Sequence, residues 1–104
     1  MIISEAPSKW VILKIDDQST YKVFGTWGGG YLDGQSWKLN SGIAKVTEDE
    51  DNYYFHGYSG SCYKCGKACY GTIGYGRMVL DELLNNKHVT LMEDNKNWCN
   101  FLNK

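Results

Sequence analysis

Residues 9–27 read KWVILKIDDQSTYKVFGTW, and this stretch decides the fold. Two runs rich in β-branched and aromatic residues, 9–15 and 20–27, are separated by the polar segment 16–19. So short a connection is typical of antiparallel strands, because parallel strands need a crossover of a dozen or more residues. The stretch therefore predicts a β-hairpin near the start of the chain.

The segments that follow continue the β pattern. Residues 35–39, 43–47 and 53–58 are predicted strands, bounded by glycine or by acidic residues. Side chains alternate between the two faces of a strand. In the last of these strands one face carries Tyr54, His56 and Tyr58, and the other carries Tyr53 and Phe55.

The C-terminal third no longer shows a continuous β pattern. Six glycines within residues 57–76 predict a long irregular loop. Apolar residues at helical spacing then predict a helix over 77–86, followed by a strand at 88–92 and a short helix within 94–102. The expected fold is α+β, an antiparallel β-sheet of five to six strands with one or two short helices in this third. At this length we expect one domain, residues 1–104.

Charge and hydropathy exclude two classes of partner. The net charge is -1 and Arg77 is the single arginine, so no basic stripe is present for long DNA or RNA. No apolar run approaches the length that spans a bilayer, and residues 1–9 lack the pattern of a signal peptide. We therefore expect no membrane partner, a cytoplasmic location and reduced cysteines.

The four cysteines suggest a zinc site as an alternative to a protein without cofactor. Cys62-Tyr63-Lys64-Cys65-Gly66 has the spacing of a zinc knuckle, in which two thiolates clasp a metal as the chain turns at glycine. The chain has no second Cys-x-x-Cys pair, so Cys69 and Cys99 would have to complete the four ligands, with His56 as a possible substitute. The other interpretation is three reduced loop thiols and one small buried apolar side chain, Cys99.

Catalytic patterns are incomplete, so we expect a protein that is not an enzyme. Gly57-Tyr58-Ser59-Gly60-Ser61 has serine where the nucleophile elbow needs its second glycine. His56 and His88 are the only histidines, and neither belongs to a recognisable catalytic motif.

Several segments instead bring aromatic rings next to glycine and serine. Flat rings stack on planar ligands, serines offer hydrogen bonds, and an arginine pairs with phosphate or carboxylate. The alternative is that the glycines form turns while the rings fill the core. On the first interpretation the ligand-binding residues are Trp27, Tyr31, Trp37, Ser59, Ser61 and Arg77.

Just under half of the chain resembles small uncharacterised proteins of tailed bacteriophages and prophages. The matching residues are W-G-G-G-Y-L at 27–32, S-W-K-L-N-S-G-I at 36–43 and Y-Y-F-H-G-Y-S-G-S-C-Y-K-C at 53–65, with Tyr70-Gly71 after them. In that family the position of Cys62 is often aliphatic and that of Cys69 varies, which argues against a four-cysteine zinc site. The resemblance implies a phage accessory protein acting in the host cytoplasm.

The residues and the resemblance together favour a non-catalytic phage accessory binding protein. We expect it to counteract a host defence by sequestering a small, nucleotide-like ligand, and to form a homo-oligomer. One alternative is a protein–protein inhibitor that grips a host protein with exposed Trp and Tyr side chains. The other is the zinc-binding module.

Overall fold

The computed structural model describes residues 2–16, 20–28, 35–94 and 96–103, with Gln35 and Tyr75 described by their backbone only. Seven strands and two helices lie in these ranges. In chain order they are β1 Lys9–Ile15, β2 Thr20–Gly28, β3 Gln35–Leu39, β4 Ile43–Glu48, β5 Asn52–Gly57, β6 Cys62–Gly66, α1 Gly74–Leu84, β7 Val89–Leu91 and α2 Trp98–Leu102.

The α+β class is confirmed, and the described strands divide between two antiparallel sheets. The first sheet has the order β3-β2-β1-β7 and the second has the order β4-β5-β6. The predicted hairpin is the centre of the first sheet, with Trp10 opposite Gly25 and Ile12 opposite Val23. Strand β6 lies inside the segment predicted to be a loop, and Cys62 and Cys65 are both buried in it.

The first sheet is the middle layer, because the hairpin strands are apolar on both faces. One face points Trp10, Ile12 and Val23 into a core shared with the second sheet and α2. The opposite face packs a smaller cluster around Phe24 and Leu80 against α1. Burying each large apolar side chain contributes roughly 1.5–3 kcal/mol, so these two clusters supply most of the driving force for folding.

Both edges of the second sheet have hydrogen-bonding partners. The N-terminal segment pairs with β6, and a side chain pairs with β4. Glu5 forms a parallel bridge with Tyr63, which extends the sheet beyond β6. At the other edge, Asn103 Oδ1 accepts from Val46 N–H at 2.9 Å and its Nδ2 donates to Val46 O at 2.6 Å. Neither helix of the described ranges is long and apolar enough to cross a membrane.

Candidate ligand-binding surface

Strand β5 divides its side chains between the core and the outside, as its alternation predicts. Tyr53 and Phe55 are buried, whereas Tyr54 and His56 are half-buried on the opposite face. We call that opposite side of the second sheet its outer face. By register it carries Lys45, Thr47, Tyr54, His56, Cys62 and Lys64.

Three serine hydroxyls meet beside this sheet, where the turn after β5 approaches the turn before β4. Ser59 N–H donates to Ser41 Oγ at 3.0 Å, and Ser41 Oγ donates to Ser59 Oγ at 3.1 Å. Ser59 Oγ in turn donates to Ser61 Oγ at 3.4 Å. We call Ser41, Ser59 and Ser61 the serine cluster. Its hydrogen bonds run in one direction, an arrangement in which each bond polarises the next.

Glycines allow the two turns to come this close. A Cβ on Gly57 would lie 2.9 Å from Ser61 Oγ and 3.1 Å from Ser41 Oγ, so a side chain there would push the hydroxyls apart. Gly60 has a φ of 92° and open space around its missing Cβ. The left-handed conformation turns the chain sharply and leaves room beside the cluster for another molecule.

Tyr58 provides an aromatic ring next to the cluster, and 70% of it is exposed. Its Cδ2 and Cε2 atoms, which form one edge of the ring, lie 3.0 and 3.2 Å from the position of a Cβ on Gly42. This edge therefore rests on the turn that carries Ser41. The ring thus lies beside the hydroxyls and is largely open to solvent, so a planar group can stack on it.

Asn40 lies at the base of the same turn and is only 4% exposed. Its Oδ1 accepts from Val23 N–H at 2.9 Å and from Gly42 N–H at 3.3 Å, which fixes the plane of the amide. Its Nδ2 has no hydrogen-bond partner among the described residues. An unmatched buried donor costs about 1–3 kcal/mol, so the side chain stabilises the turn with one atom and leaves a second unsatisfied.

The outer face carries positive charge at Lys45 and Lys64, whereas Gly57, whose missing Cβ faces Ser61 and Ser41, alternates onto the other face. His56 Nε2 lies 3.1 Å from Thr47 Oγ1, and burial together with the Lys45 charge lowers the pKa of His56. Because the ring partner of His56 is Thr47, the described residues do not assemble a serine–histidine nucleophile here. The chemistry that the serine cluster offers is hydrogen bonding to a polar group.

Tyr54 and Asp49 form a separate hydrogen bond at the far end of this face. Tyr54 Oη donates to Asp49 Oδ2 at 2.6 Å. This bond raises the pKa of Tyr54, and it is the main reason why the pKa of Asp49 lies below its ordinary value. The negative charge of Asp49 is therefore held away from the serine cluster.

The structure brings together only part of the predicted ligand-binding set. Ser59 and Ser61 lie in one cluster. Trp27 is opposite Ser36 and Trp37 is opposite Thr26, and because adjacent residues of a strand alternate, the two indoles lie on opposite faces of the first sheet. The six predicted residues therefore do not form one site.

The two indoles also have different surroundings. Trp27 is half-buried and its Nε1 donates to Ala6 O at 3.1 Å. Trp37 is 39% exposed and stacks on Phe24 with ring centroids 5.6 Å apart. The serine cluster lies near the start of β2, since a Cβ on Gly42 would lie 3.0 Å from Thr20 Cγ2. Trp27 is seven residues further along that strand, roughly 23 Å away at 3.3 Å per residue.

Of the other two predicted residues, only Arg77 is described, and it lies on α1 rather than at the cluster. Arg77 is exposed on α1 and its Nε donates to Asp81 Oδ1 at 3.2 Å, one helical turn along. Tyr31 lies outside the described residues, as do Gly29 and Gly30 before it.

Three residues of the surface, Asn40, Ser41 and Tyr58, are missing from the set predicted from sequence. Tyr58 directly follows β5 and continues the alternation of Tyr54 and His56 in the sequence, which is a signal that the sequence does contain. Asn40 and Ser41 precede a glycine, which marks a turn. Only the pairing of that turn with residues 57–61 shows that they belong to the same surface.

The zinc knuckle predicted as an alternative is not formed, because its residues lie on a strand. Cys65 pairs with Tyr53 on the core face, whereas Cys62 pairs with His56 on the outer face, so the two thiols point in opposite directions. Among the described residues, which include Cys69 and Cys99, no three His, Cys, Asp or Glu side chains are grouped to hold a metal. Burial raises the pKa of Cys62 and, more strongly, that of Cys65.

No protein-family model, curated protein or solved structure matches the chain. Its function is therefore inferred from the geometry of its own residues.

Proposed function

We propose that this chain is a non-catalytic binding protein that captures a small, nucleotide-like ligand at the serine cluster and Tyr58. One observation carries the proposal: three hydroxyls, linked by contacts of 3.1 and 3.4 Å, lie beside an aromatic ring that is 70% exposed. A nucleotide combines a planar base with a polar sugar and an anionic phosphate. The surface offers the Tyr58 ring for the base and the serine hydroxyls for the sugar and phosphate.

Stacking on Tyr58 supplies affinity without selecting one base, since every base has a π-face. Base–aromatic stacking contributes roughly 1–3 kcal/mol per base. The serine hydroxyls exchange their mutual hydrogen bonds for bonds to the sugar or phosphate.

The biological setting of the proposal comes from the resemblance to phage proteins. A phage protein that holds a nucleotide signal without converting it lowers the free concentration of that signal in the host cytoplasm. Such sequestration counteracts a host defence and requires binding but no turnover. A homo-oligomer fits this role, because symmetric copies multiply the number of sites.

Isothermal titration against a panel of linear and cyclic nucleotides tests the proposal. We expect saturable binding to the wild type, and a dissociation constant at least about tenfold higher for Tyr58→Ala, from the loss of stacking. Ser59→Ala, which removes a hydroxyl of the cluster, should also weaken binding. Ser36→Ala is its matched control and should bind as the wild type does, because Ser36 is an exposed serine on the other sheet. Absence of binding to every nucleotide would contradict the proposal, as would equal affinity of Tyr58→Ala and the wild type.

A second function, inhibition of a host protein, is favoured by a different surface. Trp37 on β3 and Met78 on α1 are 39% and 65% exposed, and α1 packs against β3. Exposed tryptophans are common hot spots of protein interfaces. On this account one host protein is retained at a fixed stoichiometry by the wild type and by Tyr58→Ala, and is lost with Trp37→Ala. Retention of that partner by Trp37→Ala would contradict it.

A further inference from the structure

We propose that a second copy of this chain pairs with the outer edge of β3, antiparallel to it and about a two-fold axis at Trp37. The pairing joins the first sheets of the two copies into one continuous sheet. The inference assigns an interface between copies and does not depend on the ligand proposed above.

The hydrogen bonding of the first sheet shows which backbone groups of β3 point away from β2. Asn40 N–H donates to Val23 O at 3.0 Å, one step beyond the last pair of the ladder. Hydrogen-bonded and non-hydrogen-bonded pairs alternate along antiparallel strands. Lys38 therefore bonds to β2, whereas the N–H and C=O groups of Trp37 and Leu39 point outward.

This outer edge has no strand beside it among the described residues. Both edges of the second sheet carry partners, Glu5 at β6 and Asn103 at β4. At the edges of the first sheet, β7 has only three residues and β3 has five. Within the described ranges, the outward backbone groups of Trp37 and Leu39 have no hydrogen-bond partner. An edge of this kind is a template for another strand.

The lysine on this edge does not guard it. Lysine on an edge strand usually discourages pairing, because its charge would be brought against a neighbouring chain. Here Lys38 Nζ forms an ion pair with the Glu5 carboxylate at 2.5 Å. Glu5 belongs to the N-terminal segment that pairs with β6. The ion pair thus offsets the charge of Lys38 and orients the side chain toward its own molecule.

Trp37 provides the apolar contact at the centre of the interface. Its ring stacks on Phe24 with centroids 5.6 Å apart and is still 39% exposed. When Trp37 lies opposite its own copy, both indoles are on the same face of the joined sheet. Residues directly opposite each other have Cβ atoms about 4.5–5.5 Å apart, so each indole covers the exposed part of the other.

Charge selects the register in which the two strands pair. An axis at Trp37, the middle residue of β3, overlaps the whole strand and matches outward groups with outward groups. It places Ser36 opposite Lys38 of the second copy. An axis at Lys38 would also match outward groups, but it places two lysines directly opposite each other, which is destabilising. The axis at Trp37 is therefore the register that fits this sequence.

Light scattering during size-exclusion chromatography of a dilution series tests the inference with two variants of one exposed residue. Ser36→Lys places a lysine opposite Lys38 of the other copy, and Ser36→Glu places a carboxylate there. We expect the wild type to be a dimer that dissociates on dilution. Its dissociation constant should be about tenfold higher in Ser36→Lys and about tenfold lower in Ser36→Glu, since the symmetry applies each change twice.

Two results would overturn the inference. One is a wild type that is a monomer over the whole dilution series, which is also the result expected if the Trp37 surface serves a host protein instead. The other is a dimer whose dissociation constant is the same in Ser36→Lys and Ser36→Glu, because the two copies would then meet at another surface.

Hydrogen exchange of the wild type keeps the test decisive if a variant does not fold. In the dimer the Trp37 amide bonds to the second copy, so its exchange should become faster as the protein is diluted. The Lys38 amide bonds to β2 in the monomer and in the dimer, and it serves as the internal control. Exchange at Trp37 that does not change with concentration would contradict the pairing.

Discussion

Gly76 lies where α1 approaches the first sheet closely, and there is no room for a side chain at this position. A Cβ at this position would lie 2.2 Å from Thr26 Cγ2. Thr26 is fully buried, and its Oγ1 also accepts from Ile73 N–H, just before the helix. The start of α1 is therefore fixed to the sheet by one close contact and one hydrogen bond.

Replacing Gly76 by alanine should destabilise the protein. Alanine normally stabilises a helix by up to about 1 kcal/mol relative to glycine. Overpacking costs about 1–3 kcal/mol, and at 2.2 Å it outweighs that gain, so we expect a net loss of roughly 1–2 kcal/mol in the free energy of unfolding. Urea denaturation measures this loss in the free energy of unfolding.

Gly28→Ala is the matched control, because a Cβ there meets Ile73 Cδ1 at an ordinary 3.4 Å. Its free energy of unfolding should stay within about 0.5 kcal/mol of the wild type. Equal stability of Gly76→Ala and the wild type would show that α1 is not held at this distance.

The cysteines should differ in their rates of alkylation in the folded protein. Cys62 and Cys65 are 3% and 0% exposed, and burial raises the pKa of both thiols. Burial, reinforced by a hydrogen bond with Glu48, raises the pKa of Cys99 to about 11. We therefore expect iodoacetamide to modify the half-buried Cys69 first, as read by peptide mass spectrometry. Faster modification of Cys65 would contradict the register of β6.

At the scale of elements, α2 and the residue after it protect the edge of β4. Asn103 pairs with both backbone groups of Val46, as a neighbouring strand would. The helix is anchored by Trp98, which is fully buried in the main core. The C-terminal segment thus covers an edge that would otherwise be open to pairing with another chain.

Asn103→Ala should weaken this edge. Removing both hydrogen bonds to Val46 should lower the free energy of unfolding by about 1–3 kcal/mol and speed hydrogen exchange at the Val46 amide. Asn100→Ala is the control, because the bond from Asn100 N–H to Asn97 Oδ1 uses the backbone and survives the change. Unchanged exchange at Val46 in Asn103→Ala would contradict the edge pairing.

The elements also show what local sequence can and cannot predict. The hairpin of β1 and β2 follows from nearby residues, and the alternation in β5 assigns its two faces. Strand β6 was not predicted, although it forms an equally local hairpin with β5; only its bridge to Glu5 joins residues far apart in the chain. The frequent glycines of residues 57–76 conceal the alternation within 62–66. The division into two sheets likewise depends on packing rather than on local preference.

At the scale of the whole molecule, there is a physical reason why the sequence predicted only part of the binding surface. Ser59 and Ser61 share one turn, so sequence places them together. Trp27 and Trp37 lie on different strands, and a change of register by one residue would move either ring to the other face. Sequence patterns do not determine that register, so they do not reveal which rings share a surface.

The stability of the molecule should depend on the protonation of His56. Burial, followed by the Lys45 charge, places its pKa in the folded state below the ordinary 6.5. The unfolded chain therefore binds this proton first as the pH falls. The contribution to stability is fully present above pH 6.5 and is lost as the pH falls through the lowered pKa.

Thermal melting measures this dependence. The melting temperature should fall between about pH 7.5 and about pH 5, and it should fall less in His56→Gln, which cannot take up the proton. An equal fall in both proteins would show that His56 is not responsible.

The central claim is that a ligand binds at Tyr58 and the serine cluster. The most direct test is a titration of ¹⁵N-labelled protein with GMP, followed by the backbone amide signals. We expect saturable shifts concentrated at residues 40–42 and 57–61, with the amides around Trp37 and α1 unchanged. Shifts confined to the surface around Trp37 and α1, or no shifts at millimolar concentrations of GMP and of every other nucleotide in the titration panel, would contradict the claim.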